Sequence, residues 1–109
     1  MTIQRTKTIP WDPATHIKND AYAAEYLQAA LEGGDPRVVA AVLGHIARYK
    51  GMAHVARVTG LGRESLYKAL SPSGNPEFST VLKVVRALGL QLSAEVAGQR
   101  ESAIETAQD

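Results

Sequence analysis

The run Arg63-Glu64-Ser65-Leu66-Tyr67-Lys68-Ala69 carries side chains suited to reading a nucleic-acid duplex. A guanidinium forks onto a guanine edge, a serine hydroxyl bonds several bases, and Tyr or Lys reaches a phosphate or a base edge. These groups act together only if one element presents them on one face. A helix that buries Leu66 and Leu70, with small Ala69 between them, leaves Arg63, Glu64, Ser65, Tyr67 and Lys68 pointing outward.

Such a helix needs a support. Met52, Val55 and Ala56 lie at i, i+3 and i+4, which predicts a short helix just before it. Thr59-Gly60-Leu61-Gly62 separates the two. A helix-turn-helix requires a small residue where its helices cross and usually a glycine in the turn; Ala56 and, four residues later, Gly60 meet both needs. The spacing therefore points to a helix that enters the major groove of double-stranded DNA. An ordinary helical hairpin with a solvated, charged face has the same short helices and glycine turn.

Charge distribution bears on that choice. The chain of 109 residues has a formal net charge of only +1. Residues 36–70, however, hold Arg37, Arg48, Lys50, Arg57, Arg63 and Lys68 against a single acid, Glu64. The acids Asp12, Asp20, Glu25, Glu32 and Asp35 precede that block. Local positive potential is what a DNA-binding face needs, and the whole-chain charge hides it.

Other chemistries find less support. With no cysteine, a disulfide framework and a thiolate zinc site are excluded. His16, His45 and His54 stand at no metal-ligand spacing, and no nucleophile is placed beside a base, so no enzyme activity, metal or cofactor is expected. Gly60-Leu61-Gly62 lacks the third glycine and preceding strand of a dinucleotide site and reads as a turn. No apolar run reaches the roughly 20 residues of a membrane span, and the first residues lack the apolar stretch of a signal peptide. The expectation is a cytoplasmic protein.

The remaining elements follow from local signals. Residues 1–18 have no helical period, and Pro10 and Pro13 favour an extended segment. A helix is predicted from about Asp20 to Glu32, capped by Asn19 or Asp20 and ended by Gly33 and Gly34; its apolar positions are Tyr22, Tyr26, Leu27, Ala30 and Leu31. Asp35 and Pro36 start a second helix with an apolar face of Val38, Val39, Val42, Leu43, Ile46 and Tyr49, ended by Gly51. The stretch 71–76, SPSGNP, is a loop. A last helix runs to Leu88 and is expected to bury Phe78, Val81, Leu82, Val85 and Leu88. Leu90, Leu92, Ala94 and Val96 alternate with polar residues, which predicts one C-terminal β-strand in an otherwise all-α chain. The domain thus covers 19–96, and 97–109 reads as a flexible tail.

Several of these residues resemble a family. The run LYKALSPSGNPEFSTVLKVVRALGLQLSAEV looks like the C-terminal half of HigA-like antitoxins, of the Cro/repressor-type helix-turn-helix class. The similarity begins near Trp11-Asp12-Pro13, passes through Ala30 to Pro36 and ends near Val96; Leu66 to Leu90 is its most specific part. The resemblance implies a repressor-like five-helix fold, a homodimer, repression of the protein's own operon, and a RelE/ParE-type toxin as partner. Many repressors of this class start the first motif helix with a phosphate-holding Gln, where this chain has Met52. Phosphate anchoring then falls to Lys50, Arg57 and the groups around Ser71 and Ser73.

The resemblance does not locate the toxin contact. Ile9 and Trp11 lie on an extended segment able to run along a partner surface, and Asp20 and Glu25 on the acidic first helix would complement a basic toxin. Two alternatives stay open: a stand-alone phage- or plasmid-type repressor without a toxin, and a protein-interaction module without DNA binding.

Overall fold

Asn19 accepts the Tyr22 N–H at 2.8 Å, and this cap starts α1 (Asp20–Gly33). Gly34, Asp35 and Pro36 then turn the chain. The Asp35 carboxylate accepts the Arg37 N–H at 2.9 Å and launches α2 (Pro36–Lys50). Gly51 leads into α3 (Met52–Thr59), followed by α4 (Arg63–Ala69) and α5 (Phe78–Ala87). The computed structural model describes residues 16–98. Its described residues are mostly helical, and the five helices agree with the elements expected from the sequence.

α2 is the spine. It packs on α1, α3 and α5, and α3 packs in turn on α4 and α5. Leu43 and Ile46 of α2, Val55 of α3, Leu66 of α4, and Val84 and Leu88 at the end of α5 are fully buried and fill the centre. Each such side chain stabilises the fold by about 1.5–3 kcal/mol relative to exposure. Ile17, ahead of α1, belongs to the same core.

The structure corrects the sequence reading in three places. Among the described residues there is no strand: Leu90–Val96 has no regular secondary structure. Leu90 and Leu92 pack against the core while Ser93–Val96 are exposed. A strand needs a ladder partner, and the described residues offer none. Phe78 is 70% exposed and Leu82 is also exposed, because α5 buries its last turn, Val84, Val85, Ala87 and Leu88. Val38 is exposed as well, since α2 turns Val39, Val42, Leu43 and Ile46 inward instead.

Two apolar grooves flank α2. One, of about 470 Å³, lies between α1, α2 and α5, with Leu27, Leu31, Val39, Leu43, Phe78 and Val81 among its lining. The other, of about 610 Å³, is bounded by Tyr26, α2 and the loop after α4.

Candidate nucleic-acid interface

Short helices need external fixing, since isolated ones of this length are unstable. α3 is closed by its own last residues. The Thr59 hydroxyl donates to the Val55 carbonyl at 2.8 Å and accepts the Leu61 N–H at 3.2 Å. Gly60 adopts φ +77°, a left-handed conformation open to glycine at little cost, and its N–H donates to the Ala56 carbonyl at 2.9 Å. The chain thereby reverses within Gly60–Gly62, and Leu61 packs against the core.

α4 is anchored by one side chain. Leu66 is its fully buried residue, whereas Arg63, Glu64, Ser65, Tyr67 and Lys68 are all exposed. The structure thus leaves all five sequence-predicted residues of α4 open to solvent. No ion pair engages Arg63 or Lys68 among the described residues, so none of those residues competes for their charges. At the far end, the Ser71 hydroxyl donates to the Lys68 carbonyl at 2.9 Å and lies 3.3 Å from that of Ser73. Ser71 and Ser73 therefore stand beside Lys68.

The remaining predicted contacts divide. Arg57 is exposed on α3 and bonds His54 Nδ1 at 3.3 Å. Lys50 has an internal partner: its ammonium lies 2.9 Å from the Asp20 carboxylate, and its side chain is only 25% exposed. Asp20 also accepts from the Tyr49 hydroxyl at 3.4 Å. The hydrogen bond from Lys50, helped by Tyr49, holds the Asp20 carboxyl below its ordinary range. Asp35 is lowered likewise, by the backbone N–H and then the side chain of Arg37. Glu25 is exposed on α1. Ile9 and Trp11 lie outside the described residues.

Two features escaped the sequence reading. Gly44 sits in the middle of α2, where a Cβ would strike the Leu70 carbonyl oxygen, so α2 approaches the end of α4 more closely than any side chain allows. A glycine inside a strongly patterned helix was the available signal. The second is an aromatic row. Tyr26 meets the His16 ring edge-on at 5.5 Å and stacks on His45 at 5.9 Å, while its hydroxyl lies 2.7 Å from His45 Nδ1. Burial pushes the Tyr26 phenol up, which keeps it protonated and able to donate.

The described residues define a mostly helical protein that presents a short, core-anchored helix with its polar side chains open. The chain belongs to the family of probable addiction module antidote proteins, whose model matches residues 7–96. A Haemophilus influenzae protein described as uncharacterized is 41% identical to it over 85 residues, 78% of this chain and 88% of the relative. No solved structure matches the chain. Among the described residues, no helix is long and apolar enough to cross a membrane.

Proposed function

We propose that this antidote-family chain is a non-enzymatic, cytoplasmic, DNA-binding antitoxin of a type II toxin–antitoxin module. In this reading it is HigA-like, of the Cro/repressor helix-turn-helix class, with α3 and α4 as the motif. α4 lies in the major groove of the operator, and the homodimer places two such helices about 34 Å apart on successive grooves. Arg63, Ser65 and Tyr67 read base edges; Lys68, Arg57, Ser71 and Ser73 hold phosphates. Glu64 accepts from a cytosine amine. Lys50 reaches a phosphate only by exchanging Asp20 for it.

One observation carries the reading. α4 is fixed to the core through Leu66, while Arg63, Ser65, Tyr67 and Lys68 all face solvent with no ion pair to another described residue. The family adds the antidote role, and with it a toxin, which we take to be RelE/ParE-type. The acidic start of α1, with Asp20 and Glu25, together with Ile9 and Trp11 before it, is the proposed toxin contact.

The test is fluorescence anisotropy of the full chain on duplex DNA from upstream of its own gene, against a scrambled duplex. Preferential binding that weakens steeply with salt is expected. Equal affinity for both duplexes, or none at micromolar protein, overturns the DNA reading. Co-purification of the neighbouring gene's product, weakened by Glu25→Lys, tests the toxin reading separately.

A further inference from the structure

α4 has seven residues and is held at few points. Leu66 is fully buried, and Gly62 at the start of the helix offers no capping side chain. The close backbone contacts gather at the opposite end. A Cβ built on Gly74 would strike the carbonyl oxygens of Lys68 and Ala69, and one built on Gly44 would strike that of Leu70. Two glycines thus enclose three successive carbonyls, Gly44 from α2 and Gly74 from the loop that follows α4. We propose that Gly74 is a positioning residue for base reading: by lying directly on the Lys68 and Ala69 carbonyls it fixes the tilt of α4 about Leu66, and with it the place of Arg63.

The loop is built for this approach. Gly74 donates its N–H to the Ser71 carbonyl at 2.9 Å, which closes a turn and folds the chain back over the end of the helix. The Ser71 hydroxyl donates to the Lys68 carbonyl at 2.9 Å and ties the same turn to α4. Gly74 is not among the glycines with positive φ, so close approach, not backbone conformation, is what calls for glycine here. The atoms it approaches are backbone, which cannot swing aside as the end of a flexible side chain can. A methyl group at this position must therefore move the helix end or the loop.

The arrangement acts as a lever. Arg63 and Ala69 stand three residues to either side of Leu66, about 4.5 Å along the axis in each direction. Displacing the Ala69 end about a pivot at Leu66 moves the Arg63 end by a similar amount in the opposite sense. A bidentate bond to a base edge needs placement within about 0.5 Å. Attraction to phosphates falls off slowly with distance and tolerates such a shift. Displacement therefore costs discrimination between duplexes before it costs affinity. The inference rests on the reading of α4 as the helix that enters the major groove.

The test compares Gly74→Ala with Gly33→Ala, where an added Cβ meets nothing within 4 Å. In amide NMR spectra of the full chain without DNA, Gly74→Ala is expected to move resonances through α4 as far as Arg63, and Gly33→Ala to leave them in place. In anisotropy titrations, Gly74→Ala is expected to lower the ratio of affinities for the upstream and scrambled duplexes about tenfold, with affinity and salt slope on the scrambled duplex unchanged. Amide shifts confined to Lys68–Gly74 overturn the proposal. So does an unchanged ratio, or an equal loss on both duplexes. An unaltered chain that prefers neither duplex overturns the DNA reading and the base-reading role with it; the amide shifts, which need no DNA, tell that outcome from failure of the brace itself. If Gly74→Ala does not fold, Ser71→Ala loosens the same turn by one hydrogen bond and is expected to move the same amides by less, and unmoved amides at Arg63–Ser65 then decide against the proposal.

Discussion

Gly44 lies so close to the backbone carbonyl of Leu70 that a Cβ built on the glycine overlaps that oxygen. Leu70 follows the last residue of α4, so this approach sets where the exposed polar helix stands relative to α2. Gly44→Ala raises helix propensity by up to about 1 kcal/mol, yet forces α2 and Leu70 apart at a cost of about 1–3 kcal/mol. The expected outcome is a lower midpoint in urea unfolding, together with weaker DNA binding. A stabilised variant would show that the two backbones separate freely.

Arg63→Ala is expected to weaken binding to the preferred duplex by about 1–3 kcal/mol and to relax the preference at one base position. Arg57→Ala is expected to weaken all duplexes alike and to reduce the salt slope by about 1. Binding titrations of both variants on matched and single-substituted duplexes, at several salt concentrations, separate base contacts from phosphate contacts. A uniform loss for Arg63→Ala would make it a phosphate contact.

The Asp20 carboxyl titrates below its ordinary range because Lys50 holds the charged form. Its contribution to stability is therefore fully present above the unfolded carboxylate pKa of about 3.9 and is lost as pH falls through the lower folded value. Asp20→Asn is expected to lower the unfolding midpoint slightly at pH 7, with the difference from the parent chain closing in strong acid. Urea titrations at neutral and acid pH read this directly. A gap that widens with acid contradicts the pairing.

Removing the cap at Asn19 with Ala is expected to cost about 0.5–2 kcal/mol, because the Tyr22 N–H loses its acceptor. Tyr26→Phe deletes the hydroxyl next to His45 Nδ1 and is expected to cost about 0.5–1.5 kcal/mol. Thermal unfolding of each variant measures these values.

Helix positions were legible because their punctuation is local. Asn19, the Gly34–Pro36 turn, Gly51 and Gly60 each act on the residues beside them, and the structure uses all of them as boundaries. The open face of α4 was legible for the same reason: once Leu66 turns inward, the helical period fixes its neighbours. Phe78 was misread because burial depends on what covers a side chain, and no described element covers the start of α5. The alternation after Gly89 marked which side chains pack, as Leu90 and Leu92 do, but pairing is a property of two segments and cannot be read from one. Lys50 was assigned by charge alone, and only the fold reveals that Asp20 already holds it.

The Asp20–Lys50 pair joins the start of α1 to the end of α2, two residues ahead of Met52, where α3 begins. Its two charges cannot be recruited independently. A ligand that takes the carboxylate releases the ammonium for a phosphate, and a phosphate that takes the ammonium leaves the carboxylate open to a cation. Any free energy that one partner gains through this exchange is necessarily shared with the other in equal measure, so occupancy at the carboxylate is felt as affinity at the ammonium beside it.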